Sequence, residues 1–445
     1  MHRPTFSILA EIERTQWLSR EGVEAYQAQR LNTLLASALA HSPWHAARLR
    51  VAGLEETVTA GLVTLADLSR LPTMNKRDAR DNVERMVWRG VPGGVYPYNT
   101  GGSSGEPLSF YFGRARQASD AAGRMRARRW WGVHPGDHEA YLWGAPIELN
   151  STDHIKTLRD RLINQLMLNA FAMSPARMDD YLVALQSWQP QCMYGYASSI
   201  ALLAAHAEAR SVKLRLPRLR VVCTTGEPLY PHQRELIARV FGAPVANEFG
   251  SRDIGFTAHE APGGQMLLMS ESHIVEVLDP DGHAVAPGES GEAVITGLTT
   301  SAQPFIRYRT GDVLRLSAEP AHDGRGLHVI EEVTGRQTDY VVAADGRVMH
   351  ALALIYVLRA VPGIVQFKCI QHTVQALEVQ LVTDAQWNEA AQQAVISGLR
   401  ARLGPEVEIR LQLLEDIPPE KSGKHRYVVS HVNLAEVLPQ AQSLN

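Results

Sequence analysis

The sequence predicts an α/β protein in which a large N-terminal domain with parallel and mixed sheets precedes a small α+β C-terminal domain. Its 445 residues exceed what one hydrophobic core usually serves, so we expect at least two domains. Residues 219–225, 231–241 and 245–249 are patterned as a buried strand, a helix and a second strand. From residue 344 onward the pattern changes to a βαββαβ-like order, which is typical of a separate compact domain.

The remaining elements follow from local patterns. Apolar residues recur at helical spacing over residues 8–49 and 112–131, which predicts packing helices. Residues 96–112 place a Gly/Ser cluster between two segments suited to strands, so a tight turn is expected there. Antiparallel strands are predicted at 292–296 and 305–309. In the last hundred residues we predict helices at 350–360 and 385–403 and strands at 364–370, 377–383 and 407–414.

Composition narrows the class of function. The chain has 44 Lys and Arg residues against 47 Asp and Glu, so no net charge favours nucleic acid or an anionic membrane. Four arginines between residues 124 and 129 precede two tryptophans, and we interpret them as a solvated helix face rather than a nucleic-acid patch. We find no signal peptide and no apolar run of about 18 residues. A cytoplasmic protein with small-molecule partners and no membrane span is therefore expected, and its three cysteines should be reduced and buried.

The segment from Tyr98 to Pro107 is the first candidate for chemistry. It holds three glycines and three small hydroxyl residues in ten positions. Glycine removes the side chain that would keep an anion away, so backbone N–H groups and hydroxyls there can approach phosphate oxygens. The segment does not have the Gly-Lys-Ser/Thr ending of the usual P-loop. On its own pattern, a phosphate loop and a flexible surface turn remain equally open.

Further motifs follow this segment in a fixed order along the chain. They are Thr224-Thr-Gly-Glu-Pro228, Asn247-Glu-Phe-Gly-Ser-Arg-Asp253, Tyr308-Arg-Thr-Gly-Asp312, Gly335-Arg336 with Asp339, and Pro418-Pro-Glu-Lys-Ser-Gly-Lys-His-Arg426. Together they resemble the adenylate-forming (acyl-CoA synthetase, AMP-binding) superfamily, in particular its phenylacetate-CoA ligase-like branch and the capsule-biosynthesis-type relatives. The resemblance covers roughly residues 95–430, and it is the ordered set rather than any one motif that is specific.

The resemblance implies an ATP-dependent carboxylic acid:CoA ligase. Such an enzyme uses ATP and Mg²⁺ to form an acyl-AMP and then transfers the acyl group to coenzyme A. A carrier-protein phosphopantetheine is the alternative acceptor, and a non-catalytic nucleotide-binding scaffold is the alternative of another class. With the helical residues 1–90 included, which are matched only in general character, an AMP-binding domain is expected at residues 1–335. The resemblance places a mobile lid with the catalytic lysine at 336–445. The sequence leaves open whether the chain forms a homodimer.

The resemblance also assigns roles to residues. Lys424 would be the catalytic cation at the α-phosphate, Asp253 a second catalytic residue that holds Mg²⁺, and Asp339 the hinge. The short side chain of Asp253 leaves direct and indirect metal contact open. Without the resemblance, Lys424 would be a solvated basic turn. The expected ATP/AMP-binding residues are Thr100, Gly101, Gly102, Ser103, Ser104, Gly105, Gly226, Glu227, Pro228, Asn247, Glu248, Phe249, Gly250, Ser251, Asp312 and Arg336.

Aromatic residues suggest where the acid binds. The resemblance places Tyr141, Trp143, Tyr194, Tyr196 and Ala197 near an acyl pocket, which favours an aryl or arylalkyl carboxylate. Core packing is the alternative role for about half of these aromatics. Some relatives carry a Cys/His metal cluster, but no cysteine lies between residues 223 and 369 here, so no structural zinc is expected.

Overall fold

The computed structural model describes residues 4–99, 108–143, 163–170, 173–227, 229–279, 281–333, 340–417 and 427–432. Its α-helices, in chain order, are α1 Thr5–Thr15, α2 Arg20–His41, α3 Pro43–Val51, α4 Glu55–Ala60, α5 Lys76–Asp81, α6 Val83–Met86, α7 Arg114–Trp130, α8 Pro175–Trp188, α9 Ala197–Ala209, α10 Pro231–Phe241, α11 Leu352–Arg359 and α12 Glu389–Leu403. None of the described helices combines the length and apolarity that crossing a bilayer requires.

The strands, in the same order, are β1 Val95–Asn99, β2 Ser109–Gly113, β3 Glu139–Trp143, β4 Gln165–Asn169, β5 Cys192–Tyr196, β6 Val221–Thr225, β7 Val245–Ser251, β8 Gly255–Glu260, β9 Met266–Leu268, β10 His273–Leu278, β11 Ser290–Gly297, β12 Tyr308–Leu316, β13 Val329–Val333, β14 Tyr340–Val342, β15 Val348–His350, β16 Ile364–Thr373, β17 Ala376–Thr383, β18 Glu408–Leu413 and β19 Val428–Ser430. The described residues form two compact units, one within 4–134 and 246–333, the other within 135–245 and 340–432.

The first unit carries antiparallel strands and the N-terminal helices. Its strands follow the order β10-β11-β12-β13-β9-β8-β7, and β1 and β2 form a separate hairpin. Helix α7 packs on α1 and β8, which places one face of α7 against the turn between β7 and β8. The core beneath the hairpin includes Phe110, Phe305 and Tyr308, whose rings meet edge to face.

The second unit carries a parallel sheet of order β6-β5-β3-β4 and the C-terminal segment. Helices α8, α9 and α10 contribute to its apolar core, and buried residues of the C-terminal segment join the same core. Within that segment β14 and β15 form a hairpin, and a four-stranded sheet follows the order β18-β17-β16-β19. The α/β class with a distinct α+β C-terminal region is confirmed. The predicted boundary at residues 335 and 336 lies outside the described residues.

Element bounds differ from prediction at two informative places. The predicted strand at 305–309 begins only at Tyr308, because Arg307 adopts a left-handed backbone with φ of 54° that interrupts an extended run. The predicted helix at 112–131 begins at Arg114, because the preceding residues pair with β1. The predicted helix at 231–241 matches its observed bounds, and a proline at its first turn is compatible with helix initiation.

Candidate functional site

Several residues expected at the site lie outside the described residues. These are Thr100, Gly101, Gly102, Ser103, Ser104, Gly105, Pro228, Arg336, Asp339 and Lys424. Their roles stay predictions. The described candidates divide between the two units: the Asn247–Asp253 motif and Asp312 lie in the first, whereas Gly226, Glu227 and the aromatic residues lie in the second.

Asp253 lies in the turn between β7 and β8, and two hydroxyl groups hold its carboxylate. Tyr308 Oη donates to Asp253 Oδ2 at 2.8 Å, and Ser251 Oγ donates to Asp253 Oδ1. Tyr308 is buried and opens the Tyr-Arg-Thr-Gly-Asp motif, so residues of two separate motifs meet at one carboxylate. A carboxylate has about four acceptor positions, so this half-buried group retains capacity for a metal ion or its water. The carboxylate of Asp253 is therefore chemically suited to bind Mg²⁺.

The backbone of the same turn is held by a buried arginine from α7. Arg116 donates through Nη1 to the carbonyl of Asp253 at 2.5 Å and through Nη2 to the carbonyl of Arg252 at 2.6 Å. Its Nε lies 3.6 Å from Asp120 Oδ2, one helical turn further along α7. Because two adjacent carbonyls accept from one planar guanidinium, the turn has little freedom to rotate.

Asp120 completes this support from the other side. Its Oδ1 accepts from the backbone N–H of Phe256 at 3.2 Å. Gly255 has φ of +106°, and a Cβ there would lie 2.5 Å from Asp120 Oδ1, so only glycine fits between the turn and the helix. The turn that presents Asp253 is thus fixed by two charged residues of α7.

The strand before this turn carries the rest of the motif. The backbone N–H of Asn247 donates to Glu260 Oε2 at 2.9 Å, and the backbone N–H of Glu248 donates to Asn247 Oδ1 at 3.1 Å. A Cβ at Gly250 would lie 2.4 Å from the carbonyl oxygen of Gly255, so the motif glycine permits close approach of β7 and β8. Phe249 packs half-buried against the cores of the first unit.

Asp312 lies at an irregularity of β12. Pairing with β11 shifts register opposite residues 310–312, and Gly311 has φ of +75°. Thr310 Oγ1 accepts from the backbone N–H of Asp312 at 3.0 Å and donates to the carbonyl of Ala293 at 3.1 Å. Bulges re-aim side chains, so the half-buried Asp312 is displaced from the regular alternation of its strand.

Arg309 stabilises the same motif. Its Nε donates to Glu292 Oε2 at 2.8 Å, and Nη2 donates to the same oxygen. This hydrogen bond raises the pKa of Arg309. The ion pair joins β12 to β11 beside the irregularity and so supports the position of Asp312.

In the second unit, Glu227 and Gly226 lie just after β6. Glu227 Oε1 accepts from the backbone N–H of Ser198 in the first turn of α9. The positive end of the helix dipole stabilises a carboxylate at this position. Gly226 has φ of +81°, and a Cβ there would lie 3.1 Å from the ring of Tyr196. The strand end is thus packed directly against an aromatic side chain.

The aromatic residues of β3 and β5 form one group, which we call the aromatic cluster: Tyr141, Trp143, Tyr194 and Tyr196. Trp143 stacks on Tyr196 with ring centroids 4.3 Å apart and 14° between planes, and it lies 5.7 Å from Tyr194. Tyr141 lies 5.4 Å from Tyr194. Its Oη donates to Glu139 Oε2 at 2.6 Å.

Burial within the aromatic cluster is uneven. Tyr194 and Tyr196 are 8% and 5% exposed, whereas Tyr141 and Trp143 are half-buried. Ala197, also expected at an acyl pocket, is fully buried in the core of the second unit. Tyr141 and Trp143 are therefore the members of the cluster with surface available to a ligand.

Comparison with known proteins agrees with the motifs. Residues 341–431 match the family described as the CapK C-terminal domain. The chain is 22% identical over 377 residues to Protein CapK of Staphylococcus aureus, covering 83% of this chain and 82% of that protein. It is 26% identical over 360 residues to phenylacetate-coenzyme A ligase of Thermus thermophilus, covering 78% of each.

The solved structure of 2-hydroxyisobutyryl-CoA ligase with 2-HIB-AMP and CoA, in the thioesterification state, matches with a TM-score of 0.64 at 19% identity. The match covers 96% of this chain and 93% of that one. The chain has the fold of an adenylate-forming CoA ligase. The predicted resemblance to this superfamily, with phenylacetate-CoA ligases and CapK as relatives, is confirmed.

Sequence analysis did not identify the residues whose hydrogen bonds hold the candidate residues in place. Arg116 and Asp120 carry no motif, and their only local signal is opposite charge at i and i+4 on a predicted helix. Tyr308 is the first residue of its motif, and the motif alone predicts no contact for its hydroxyl. That Tyr308 bonds Asp253, 55 residues away in the chain, could not be inferred from spacing.

Proposed function

We propose that the chain is an ATP-dependent carboxylic acid:CoA ligase that acts through an acyl-AMP intermediate. The observation that carries the proposal is the meeting of Asp253 with Tyr308 at a rigidly held turn, since it joins two separated motifs in a chain with the fold of a CoA ligase. The phenylacetate-coenzyme A ligases among its relatives support the same reaction class.

In the first step a carboxylate oxygen of the acid attacks the α-phosphorus of ATP. The bond to pyrophosphate breaks, and a mixed anhydride of acid and AMP forms. The reaction needs charge neutralisation and alignment more than covalent catalysis. Lys424 supplies a cation at the α-phosphate, and residues 100–105 supply backbone N–H groups and hydroxyls. When bound, Mg²⁺ neutralises phosphate charge, and Asp253 would hold it directly or through water.

The contacts around Asp253 and Asp312 suit these roles. Tyr308 and Ser251 orient the carboxylate of Asp253, and Arg116 fixes its backbone, so little reorganisation is needed when a charged ligand arrives. Asp312, displaced at the irregularity of β12, can accept the two ribose hydroxyls, and Arg336 would lie near ribose and phosphate.

In the second step the thiol of CoA attacks the acyl carbonyl. The bond between the acyl carbon and the phosphate oxygen breaks, AMP leaves as the anion, the thiol proton passes to water, and a thioester is released. Rotation of residues 336–445 about a hinge at Asp339 would withdraw Lys424 and admit the thiol.

The acid is an aryl or arylalkyl carboxylate. Trp143 and Tyr141 offer half-buried ring surface, and apolar aromatic walls with few polar groups are typical of pockets for aromatic ligands. Such a ligase would work in the cytoplasm, where ATP and CoA are available, either alone or as a homodimer.

The test of this function is acid-dependent exchange of labelled pyrophosphate into ATP, measured over a panel of aryl, alkyl and amino acids. Exchange with one or more acids, followed by thioester formation with free CoA, is expected. Thioester formation only on a phosphopantetheinylated carrier protein would instead identify a carrier-loading enzyme. An absence of exchange with every acid would favour a nucleotide-binding scaffold.

Lys424→Ala tests the catalytic assignment. We expect loss of about 100-fold or more in acid-dependent exchange, because one preorganised charge at a developing oxyanion contributes on that order. Lys421→Ala, three residues earlier in the same segment, is the matched control and should retain exchange. Unchanged exchange in Lys424→Ala would show that the cation comes from another residue.

A further inference from the structure

The hairpin that leads into the Gly/Ser segment has no cation of its own. From Gly90 to Gly113 the sequence contains no lysine or arginine, and its one charged residue is Glu106. Under the proposed function this segment faces the phosphates of ATP. Polyanions are bound in proteins by charge-assisted hydrogen bonds as well as by backbone N–H groups. The proposed function assigns Lys424 to the α-phosphate, so a side-chain cation for the β- and γ-phosphates has to come from a part of the chain other than residues 90–113.

Arginines from outside the hairpin lie over its aromatic rings. The guanidinium-to-ring distances are 5.3 Å for Arg89 over Tyr111, 4.3 Å for Arg114 over Tyr96, 5.4 Å for Arg116 over Phe110 and 5.6 Å for Arg252 over Tyr98. Strand β1 ends at Asn99, and Tyr98 is its last aromatic residue. Tyr98 pairs with Phe110 across the hairpin, so Arg252 and Arg116 are the two of these arginines at the end of the hairpin formed by Asn99 and Ser109.

The other arginines have strong partners already. Arg89 is ion-paired with Glu84 at 2.8 Å, and Arg114 donates to Gln117 at 2.8 Å. Arg116 is buried under the two carbonyls that it holds. Each of these groups would have to break a good hydrogen bond to bind a ligand.

Arg252 is exposed and weakly engaged. Its Nη1 donates to the carbonyl of Asn99 at 3.3 Å, and among the described residues no carboxylate lies within ion-pair distance of it. The neighbouring Asp253 carboxylate is directed to Tyr308 and Ser251. A long bond to a neutral carbonyl is readily exchanged for a charge-assisted bond to phosphate, and the cation–π contact with Tyr98 leaves the N–H groups of the guanidinium free to form it.

We propose that Arg252 binds the pyrophosphate end of ATP and supplies the cation that the Gly/Ser segment lacks. This inference rests on the proposed function. It places the phosphate-binding cation next to Asp253, so that one turn, fixed by Arg116, presents both the acid for Mg²⁺ and the guanidinium for the phosphates. AMP lacks the β- and γ-phosphates, so Arg252 distinguishes ATP from AMP.

The test compares nucleotide binding by the full chain and its variants with Mg²⁺ present, using isothermal titration calorimetry. The ligands are AMP and an ATP analogue with a methylene bridge between the α- and β-phosphates. Arg252→Ala should bind the analogue about 10- to 100-fold more weakly, with AMP affinity within about twofold of the wild type. Arg252→Lys should recover part of the loss, because lysine keeps the charge but not the planar fork.

Arg89→Ala is the matched control, since it removes an exposed arginine from another ring of the same hairpin and should change neither affinity. Unaltered analogue binding in Arg252→Ala, or an equal loss for both ligands, would overturn this inference alone. A wild-type chain that binds neither nucleotide would overturn the proposed function together with it. Melting curves establish that each variant is folded before it is titrated.

Discussion

The two compact units hold their candidate residues in different ways. The first unit buries Arg116, Arg126 and Arg307, and each donates to backbone carbonyls. The prediction of a solvated helix face is wrong for Arg126, which is fully buried because Glu271, at 2.5 Å, pairs with its charge. In the described part of the second unit no lysine or arginine is fully buried, and the aromatic cluster is held by ring packing. Among the described residues, the fully buried guanidinium groups thus lie in the unit that carries Asp253.

This difference has an energetic consequence. A buried guanidinium is tolerated only when its N–H groups are paired, and removal of one partner leaves the other unpaired. When one of two packed rings is replaced by a smaller side chain, dispersion and apolar contacts are lost, but no charged group is left without its partner. Single substitutions at the supports of the first unit should therefore have larger effects than substitutions in the aromatic cluster.

The largest effect is expected for Arg116→Ala. The change leaves the carbonyls of residues 252 and 253 without their donor and leaves the Asp120 carboxylate without its cation. We expect a loss of roughly 3 kcal/mol in the free energy of unfolding, measured in urea. Acid-dependent pyrophosphate exchange should fall at least about tenfold, because the turn that carries Asp253 is released.

A structural role alone would not change the metal dependence of the reaction. If Arg116 positions Asp253, the Mg²⁺ concentration for half-maximal exchange should rise in Arg116→Ala and recover partly in Arg116→Lys. Arg77→Ala, at an exposed arginine of α5, is the control and should behave as the wild type. An unchanged Mg²⁺ dependence in the folded Arg116→Ala chain would show that Arg116 contributes to stability but does not position Asp253.

The sequence predicted the elements better than it predicted their contacts. Hydrophobic periodicity located α10 and the strands of the C-terminal segment, because each pattern is local. Motif order singled out Asp253 and Asp312 as candidates, and their roles stay predictions. The Arg116 contacts join residues 136 and 137 positions apart, and no local pattern encodes such a pairing. The left-handed Arg307 is equally nonlocal, since its conformation is stabilised by bonds to Glu276 and the carbonyl of Leu71.

Buried histidines of the first unit predict that its stability depends on pH. In the first unit, His45 donates through Nε2 to the carbonyl of Pro304 at 2.9 Å and accepts from Arg48 at Nδ1. Burial, followed by the nearby Arg48 charge, lowers the pKa of His45 from its usual 6.5 to about 3. Burial likewise lowers the pKa of His328 to about 4. The unfolded chain therefore binds protons below pH 6.5 that the folded chain does not accept.

Stability from His45 is thus fully present above pH 6.5 and declines as the pH falls towards 3. Between pH 6.5 and pH 5 we expect a loss of roughly 2 kcal/mol from this residue, measured by urea unfolding across that range. His45→Gln keeps a donor and an acceptor without a titrating group, so its curve should be flatter over the same interval. A wild-type curve as flat as that of the variant would contradict the lowered pKa of His45.

The smallest effect is expected in the aromatic cluster, with Trp143→Leu. The substitution removes the ring stacked on Tyr196 but leaves an apolar side chain, so unfolding should weaken by about 1 kcal/mol. If the cluster lines the acid pocket, KM for the preferred aryl acid should rise about fivefold while KM for ATP stays within about twofold.

Trp188→Leu is the matched control in the same unit. Its ring stacks on His138 and donates to the carbonyl of Glu139, outside the aromatic cluster, so KM for the acid should not change. An equal shift of KM in both variants would indicate general loosening of the second unit. A Trp143→Leu enzyme with unaltered preference across the acid panel would place the pocket elsewhere, because a half-buried ring that contacts the acid cannot be trimmed without changing how aromatic and aliphatic acids compete.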